Sequence, residues 1–239
     1  MNKGYAMENT HSTDDIYAVV KNEIIALRIK PGDELSENTL CKRFGVSRTP
    51  IRTVLQRLEN KGYIAIAPYK GSFVTLLDYR MIEQDIYARV AIESMALRDF
   101  ILSHSPADRS ALQFALDQLE AEGQKFFSDP EHFDVYKFLD NDLAMHRVYF
   151  RAIHKEMLAF SLDRMDASYS RFMTLDINAG ENVKDVLTDH NEMLEVIDKG
   201  EIERIEPLMR RHLYGNIRRL SPRLFSAFRH YFIESSLPV

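Results

Sequence analysis

Residues 44–52 read Phe-Gly-Val-Ser-Arg-Thr-Pro-Ile-Arg, which predicts a short turn leading into a helix. Gly45 lies between two apolar segments, where a tight turn needs a residue that tolerates a positive φ. Ser47 suits the N-cap position, and Pro50 is acceptable because it falls in the first helical turn. Apolar residues then recur at the helical spacing i, i+3, i+4 and i+7, which predicts one buried face: Ile51, Val54, Leu55 and Leu58.

The exposed end of this predicted helix carries two arginines and a threonine. Arg48, Thr49 and Arg52 fall on its first turns, away from the apolar face. A DNA-recognition helix presents its N-terminal residues to base edges and phosphates in this way. The alternative is a small helical domain whose arginines are only solvated. The neighbouring segments favour DNA binding because they supply the other parts of a known DNA-binding fold.

Two more helices and a hairpin are predicted around the recognition helix. A first helix should be capped by Thr13 or Asp14, and Ser36 can cap a short second one. After the recognition helix, β-prone residues on both sides of the loop 68–72 predict a hairpin with Gly71 at its tip. Three helices followed by a two-stranded hairpin form a winged helix-turn-helix.

Residues 13–77 resemble the GntR family of bacterial transcription factors. The resemblance rests on these matches: Leu27-Arg28, Pro31-Gly32, Leu35, Glu37, Leu40, residues 45–52, residues 55–58, Gly62 and Gly71. It implies that six residues contact DNA: Arg43, Ser47, Arg48, Thr49, Arg52 and Gly71. Of these, Arg43 and Ser47 would contact the DNA backbone, and Gly71 would let the wing approach the minor groove. Some relatives carry a basic residue where this chain has Asn38, a departure that bears on the operator sequence.

Charge is unevenly divided along the 239 residues. Residues 1–77 contain 11 Lys+Arg and 8 Asp+Glu, a balance of +3, whereas residues 78–239 contain 20 and 28, a balance of −8. The positive part is the one expected to lie on nucleic acid. Cys41 is the single cysteine, which excludes a disulfide framework. No apolar run approaches the ~18 residues of a membrane span, so we expect a cytoplasmic protein.

From Asp78 onward the sequence is predicted to be helical throughout. Helices are expected near 79–103, 107–126, 131–154, 156–174, 182–198 and 201–219, with a short last one near 222–232. The predicted fold is therefore mainly α. A flexible leader (1–12) precedes the winged helix-turn-helix domain (13–77), and an all-α helical-bundle domain that binds a ligand (78–239) follows it.

Four residues of the second half form a candidate metal site. Asp142 and His146 are four apart in a helical stretch, so both point to one face. A helix pair joined at Gly200 would run antiparallel and set His190 beside His212. One carboxylate and three imidazoles suit a divalent first-row ion, with zinc and nickel foremost, and leave coordination positions open.

Spacing alone leaves another interpretation open for these histidines. A helical histidine among apolar neighbours is more often a hydrogen-bonded core residue than a metal ligand. His154 is the rival candidate because it follows His146 by eight residues and shares roughly the same face. We interpret it as structural or solvated.

Residues 78–220 resemble the FCD domain, the effector domain of one GntR subfamily. The matching pieces are Tyr87-x-Arg89-x-x-Ile92-Glu93, Asp142-x-x-x-His146, Asp189-His190-x-x-x-Leu194-x-x-Ile197-x-x-Gly200-Glu201 and Met209-x-x-His212-Leu213. Metal-binding members use an aspartate, the histidine four later and two further histidines. The resemblance implies that Asp142, His146, His190 and His212 hold the ion, since all four positions are filled here.

Arg89 is the candidate effector anchor, because in relatives this arginine and the metal together bind a small carboxylate. The alternative is an ion pair with Glu93 or Asp85 on the same helix, worth about 0.3–0.5 kcal/mol. Other polar groups could line the pocket, although the sequence does not assign their direction: Tyr87, Tyr136, Tyr149, Tyr169, Arg147 and Arg171.

These observations predict a homodimeric, ligand-responsive regulator rather than an enzyme. A two-fold protein matches a palindromic operator, and repression relieved by ligand is the default by analogy with the family. Two alternatives stay open. One is a metal-dependent hydrolase-like domain fused to a DNA-binding module. The sequence argues against this alternative because it shows no H-E-x-x-H motif or other general-base arrangement. The other is a regulator whose metal is purely structural.

Overall fold

The computed structural model of the protein describes residues 11–163, 167–180, 182–224 and 226–237. It divides into two compact units, with the boundary between Leu76 and Leu77. Of the predicted leader, residues 1–12, all but His11 and Ser12 lie outside the described residues. The fold is mainly α, as predicted, with its one small sheet among the described residues in the first unit.

The first unit is a winged helix-turn-helix, which confirms the prediction. Its elements are α1 (Thr13–Ile25), α2 (Glu37–Phe44), α3 (Arg48–Asn60), β1 (Ile64–Ala67) and β2 (Gly71–Val74). One apolar core joins them and includes all four predicted residues of α3: Ile16, Val20, Ile24, Leu35, Leu40, Phe44, Ile51, Val54, Leu55, Leu58, Ile64 and Val74.

The cap of α1 is Ser12, so the prediction of Thr13 or Asp14 is wrong. The Ser12 hydroxyl accepts from the Asp15 backbone N–H at 3.1 Å, and the Asp15 carboxylate accepts from the Ser12 N–H at 3.1 Å. This reciprocal capping box needs an acidic or amide side chain three residues after the cap. Residues 16 and 17 are Ile and Tyr, so neither Thr13 nor Asp14 has such a partner.

The turn between α2 and α3 is made as the sequence predicts. Gly45 ends α2 with φ +65°, a left-handed conformation. Glycine adopts it without the steric cost that a Cβ would bring. Ser36 caps α2 by accepting from the Thr39 N–H at 3.4 Å. Ser47 occupies the N-cap position of α3, although its side chain makes no capping hydrogen bond.

The wing differs from the prediction at its tip. β1 and β2 are antiparallel, with Ala67 opposite Gly71, so Gly71 is the first residue of β2. The tip is therefore residues 68–70, and Tyr69 is fully exposed there with φ +63°. Gly71 itself has φ +115°, which explains why glycine begins the strand.

The second unit consists of helices over its described residues, as predicted. They are α4 (Tyr79–Ser103), α5 (Pro106–Ser128), α6 (Val135–Ala152), α7 (Glu156–Asp163), α8 (Ala167–Asn178), α9 (Asn182–Lys199) and α10 (Ile205–Leu224). α6 packs against α4, α5, α7 and α8, and α9 packs against α5 and α10. None of the helices in the described ranges is long and apolar enough to span a membrane.

Three predicted helix bounds in this unit are wrong. The stretch 156–174 is two helices, α7 and α8, and α6 begins at Val135 after a short 3-10 turn. No α-helix spans 222–232 in the described residues, because α10 continues through Pro222 to Leu224. A proline in the last turn removes one backbone hydrogen bond, and the buried side chains of Leu220 and Leu224 hold that turn against the core.

Candidate metal centre and nucleic-acid interface

The four predicted metal ligands lie together inside the helical unit. α6 carries Asp142 and His146, α9 carries His190 and α10 carries His212, and each offers one ligand atom within 4.8 Å of the others. The spacing of four puts the two α6 side chains on one face. Gly200, with φ +66°, turns the chain between α9 and α10 and lets the rings of His190 and His212 approach to 4.6 Å between centroids.

Hydrogen bonds fix the direction of two of the imidazoles. His190 Nδ1 lies 2.8 Å from the Val186 carbonyl, which only accepts, so Nδ1 carries the proton and Nε2 presents a lone pair. His190 Nε2 lies 3.0 Å from His146 Nε2 and 3.3 Å from Asp142 Oδ1. Burial, reinforced by the neighbouring imidazole of His212, lowers the pKa of His190 to about 3. At neutral pH this ring is therefore in the uncharged form that binds metals.

A buried carboxylate orients the ring of His146 by binding its outer nitrogen, Nδ1. Glu93 accepts from His146 Nδ1, from Arg89 Nη1 at 2.9 Å and from the Tyr149 hydroxyl at 2.7 Å. Burial alone would raise the pKa of Glu93, but the charge and hydrogen bond of His146, with help from Arg89 and Tyr149, hold it well below its usual range. Glu93 is therefore an ionised group that binds the outer nitrogen of a candidate ligand.

The centre has the polar groups that a cation would satisfy. Asp142 Oδ1 is buried and makes no hydrogen bond within the described part of the protein. His212 Nδ1 faces the carboxylate of Asp189, with Oδ2 at 3.4 Å. The facing Nε2 atoms of His146 and His190 also need a positive charge between them, either a proton on His146 or a metal ion. Glu93 raises the pKa of His146 despite burial, so a proton can serve when no ion is bound. The donor set of one carboxylate and three imidazoles fits zinc or a neighbouring divalent ion.

Arg89 lies beside this centre, and its guanidinium contacts Glu93, the carboxylate that binds His146. The ion pair named as the alternative interpretation is present, and it is buried rather than solvated, since Glu93 is 0% exposed. Arg89 Nη2 donates to the Leu162 carbonyl at 3.3 Å, and the guanidinium lies 4.6 Å from the centre of the Tyr169 ring. A cavity of about 10 Å³ adjoins Arg89, which is room for one water molecule.

The sequence did not predict the partnership between Glu93 and His146, because it joins two helices 53 residues apart. Glu93 entered only as the ion-pair partner of Arg89. An acidic residue one turn after an arginine, on a face otherwise lined by apolar residues, was the available signal. Among the candidate pocket groups, Tyr149 joins this network and Tyr87 is exposed. His154 does not belong to the four-residue cluster.

In the first unit, the residues predicted to contact DNA lie at the exposed end of α3 and around it. Arg48, Thr49 and Arg52 occupy its first turns, and the two arginine side chains are 64% and 66% exposed. Ser47 is exposed immediately before them. Gly71 is exposed at the start of β2. Arg43, at the end of α2, donates twice to Glu23, at 2.7 and 2.6 Å, so its guanidinium is already engaged.

Two residues in the first turn of α2 hold the arginines of α3. Arg52 Nε donates to Glu37 Oε2 at 3.0 Å, and Arg48 Nη2 donates to Asn38 Oδ1 at 3.1 Å. The sequence did not predict these contacts. Both exposed arginines of α3 therefore have defined neighbours in the absence of DNA.

Comparison with known protein families matches both units. Residues 12–74 match the bacterial regulatory proteins of the gntR family, and residues 85–215 match the FCD domain. A regulator from Streptomyces ambofaciens, described as an uncharacterized HTH-type transcriptional regulator in an unstable DNA locus, is 27% identical over 218 residues, 89% of each chain. The HTH-type transcriptional repressor RspR of Escherichia coli is 23% identical over 198 residues, 83% of this chain and 84% of RspR.

Solved structures show the same fold. Escherichia coli McbR/YncC has a TM-score of 0.64 at 20% identity and covers 88% of this chain and 97% of its own. A GntR regulator from Rhodococcus sp. RHA1 has a TM-score of 0.65 at 20% identity, with 87% and 97% covered. Because the FCD match alone spans more than half of the residues, and a gntR-type winged helix precedes it, the chain belongs to the FCD-bearing regulators of the gntR family, proteins that regulate transcription by binding DNA.

Proposed function

We propose that the protein is a cytoplasmic repressor whose helical unit binds a divalent metal ion and a small organic acid, and whose response to that acid is release of a palindromic operator. The observation that carries the proposal is the buried cluster of Asp142, His146, His190 and His212, in which Asp142 Oδ1 makes no hydrogen bond to a described residue. Relief of repression is the default in the family. One relative, RspR, is named a repressor, which supports repression rather than activation by this protein.

The four cluster residues would hold the ion, with zinc or nickel the best fit to the donor set. Asp142 supplies the charge, burial keeps His190 uncharged, and the Val186 carbonyl fixes the proton of that ring on Nδ1. Glu93 fixes the ring of His146 in the same way. Four protein ligands leave positions open on a five- or six-coordinate ion, and there the ion would supply attraction for a carboxylate oxygen.

Arg89 is proposed to bind the acid from the protein side. Its guanidinium is buried next to His146, and the lining of the small cavity beside both residues includes Ala159 and Leu162 of α7. A cavity of about 10 Å³ cannot hold an organic acid, so binding requires the lining to move, and α7 is the element that we propose moves. A ligand changes DNA affinity only if it binds two states differently, and displacement of α7 supplies such a second state.

The DNA is proposed to be bound by Arg43, Ser47, Arg48, Thr49, Arg52 and Gly71. The exposed arginines of α3 can bind base edges and phosphates. Gly71 has no side chain, so the backbone of the wing can approach the minor groove closely. Arg43 is expected to exchange its Glu23 partner for a phosphate, since a surface ion pair contributes about 0–1 kcal/mol.

A homodimer is proposed to form through α4. Along one face of this helix lie Tyr87, Met95 and Leu102, which are 66%, 57% and 61% exposed. They follow one another by eight and seven residues, so they form an apolar stripe. A groove of about 370 Å³ runs beside the stripe, and Arg98, Arg210 and Glu206 are among its lining residues. Glu206 already pairs with Arg210 at 2.5 Å, so the exposed apolar side chains are what suits this face to a two-fold contact. We infer that a second copy of the chain covers this face.

Two other functions would fit the same residues. A hydrolase would consume the acid, and a purely structural metal would leave DNA binding unchanged by any acid. Among the described residues, two carboxylates neighbour the cluster and both are engaged. Glu93 accepts from three donors, and Asp189 pairs with Arg211 and His212, so both are poorly placed to activate water. This observation favours a sensor over an enzyme.

The DNA contacts can be tested by single substitutions on α3. Arg48→Ala and Arg52→Ala should each weaken operator binding by about 1–3 kcal/mol, because each removes a charged contact to a base or phosphate. Equilibrium binding to a selected operator measures the loss. Arg57→Ala, near the far end of the same helix, is the control and should have little effect. Unchanged operator affinity in both test variants would show that α3 is not the DNA-recognition helix.

The metal site can be tested by elemental analysis. Purified protein should contain about one divalent ion per chain, and His190→Ala or His212→Ala should remove most of it. The exposed His132 provides the control, since His132→Ala should keep the metal. Chelation should also lower the melting temperature, because an ion bound only by the native state stabilises it by about 2.7 kcal/mol at 100 times its Kd. Equal metal in all variants would rule out this ligand set.

The effector site can be tested on operator binding in the presence of a panel of small organic acids. Arg89→Met should keep the operator affinity but lose the response to the active acid, because it removes the anchor without touching α3. Chelation should abolish the same response. Arg89→Lys keeps the charge beside Glu93 and provides a folded reference, and metal content and melting temperature are measured for each variant. A wild-type response in Arg89→Met would leave Arg89 a structural ion-pair partner.

The dimer face can be tested by placing a charge on the stripe. Met95→Lys should weaken self-association at least about tenfold, because burying an unpaired ammonium costs more than ~1.4 kcal/mol. Mass measured by light scattering across a dilution series gives the change. Met157→Lys, at a methionine of α7 that is 72% exposed, is the matched control. If both variants associate like the wild type, the second copy binds elsewhere.

A further inference from the structure

We propose that residues 229–237, here called the strap, hold the chain in front of α4 and so keep the connection between the two units short. The strap follows α10 and lies outside the FCD match, which ends at residue 215. Leu77, the residue that it binds, lies in neither matched segment. The grip of the strap on Leu77 stands on geometry alone, whereas its part in the response to the acid rests on the proposed function.

Two backbone hydrogen bonds tie the strap to Leu77. The Leu77 N–H donates to the Tyr231 carbonyl at 2.8 Å, and the Ile233 N–H donates to the Leu77 carbonyl at 2.9 Å. These bonds set Phe232 beside Leu77 in a parallel bridge, where the two residues are 3% and 0% exposed. Both polar backbone groups of Leu77 are therefore satisfied by the strap, and leaving them unpaired away from water would be costly.

The strap also completes the first turn of α4. The Tyr79 N–H donates to the hydroxyl of Ser236 at 3.1 Å, and this hydroxyl donates to the Ile233 carbonyl at 2.6 Å. The carboxylate of Asp78 accepts from the next two N–H groups of the helix, at 3.0 and 3.3 Å. The first N–H groups of a helix have no partner within it, so Ser236 supplies an acceptor for the one that Asp78 does not reach.

On the other side of the connection, Thr75 is fixed to the winged helix. Its N–H donates to the Tyr63 carbonyl at 3.1 Å, and its hydroxyl donates to the Gly62 carbonyl at 2.7 Å. Only Leu76 separates this anchor from Leu77. Release of the strap would free Leu77 as well, which doubles the number of backbone torsions that can rotate in the connection.

The helix α8 contacts both the strap and the candidate effector anchor. The Phe232 ring meets the ring of Phe172 edge to face, with 6.2 Å between centroids. Tyr169 lies one turn earlier on the same face of α8, and the Arg89 guanidinium lies 4.6 Å from the centre of its ring. An acid that binds Arg89 disturbs this stacking and moves α8, which loosens Phe232 and lengthens the connection. The strap-free form thus belongs to the state that the acid favours.

In a dimer, a short connection favours one spacing of the two half-sites of the operator. Once one winged helix is bound, the second binds at an effective concentration that is high only where the connection lets it reach. A strap-free protein should therefore bind the preferred spacing more weakly and tolerate other spacings better.

Amide hydrogen exchange of the full-length protein tests the grip of the strap. Phe232→Ala should raise the exchange rate in peptides that cover residues 76–80 at least about tenfold, since it removes a large buried side chain from the strap. Ile233→Ala is the matched control, because that side chain is 38% exposed and its backbone bond to Leu77 is kept.

A second variant separates release of the strap from general destabilisation by Phe232→Ala. Ser236→Ala removes one hydroxyl and should raise the exchange rate of the Tyr79 N–H about two- to tenfold. The exposed neighbour provides its control, since Ser235→Ala should exchange like the wild type. Wild-type exchange over residues 76–80 in both Phe232→Ala and Ser236→Ala would overturn the inference.

Operator binding tests the consequence for DNA. On an operator selected with the wild type, Phe232→Ala should bind about tenfold more weakly than Ile233→Ala. It should also lose most of its preference for that spacing over an operator with one base pair added between the half-sites. Affinity for a single half-site should stay within about twofold, because α3 is distant and unchanged. The active acid, which releases the wild type, should have little further effect on Phe232→Ala.

The outcomes separate this inference from the proposed function. Raised exchange together with an unchanged spacing preference would overturn the role of the strap in the connection and leave it a cap for α4. A wild type that binds no operator, or that responds to no acid, would instead overturn the proposed function, and the exchange rates would still decide whether the strap holds Leu77.

Discussion

The Glu93 carboxylate is the group on which the helical unit depends. It is fully removed from water and ionised, and removing one partner from such a buried pair costs about 3–5 kcal/mol. The fold must therefore supply donors around it, which come from Arg89 one turn earlier on α4 and from His146 and Tyr149 on α6. These requirements fix how α4 and α6 face each other. They also aim Nε2 of His146 at the interior, so the geometry of the candidate metal centre follows from a charge that does not itself belong to it.

Most of this architecture could be predicted from the sequence where the cause is local. The four-residue spacing of Asp142 and His146, the glycine turns at Gly45 and Gly200, and the apolar face of α3 depend on residues within a turn or two of one another. The sequence prediction of Thr13 or Asp14 lies one or two residues after the true cap of α1, because the acidic residue that decides the cap is three positions beyond Ser12. The four metal ligands are implied by the family resemblance, since spacing alone favours core histidines.

The remaining features could not be predicted because they depend on pairs distant in sequence. Glu93 and His146 are 53 residues apart, and nothing in either segment indicates the other. The contacts between α2 and the arginines of α3 span ten and fifteen residues, and exposed side chains follow no periodic pattern. α10 continues through Pro222 because burial of Leu224 outweighs the lost hydrogen bond, a tertiary effect that local propensity does not contain.

Both candidate sites pair arginine with a carboxylate. The pairs differ in burial, and burial determines how easily an incoming ligand can replace the carboxylate. The pairs of Glu37 are partly exposed and worth about 0–1 kcal/mol, so DNA can exchange with them at little cost. The pair of Arg89 and Glu93 is buried, and an incoming acid that replaced Glu93 on Arg89 would remove one of the three donors that compensate its charge. The Leu162 carbonyl, at 3.3 Å, is a neutral acceptor of Arg89 and is easier to displace than the carboxylate. Under the proposed function, the acid takes the place of this carbonyl. Leu162 belongs to α7, so the contact that the acid breaks also ties Arg89 to the helix that is proposed to move.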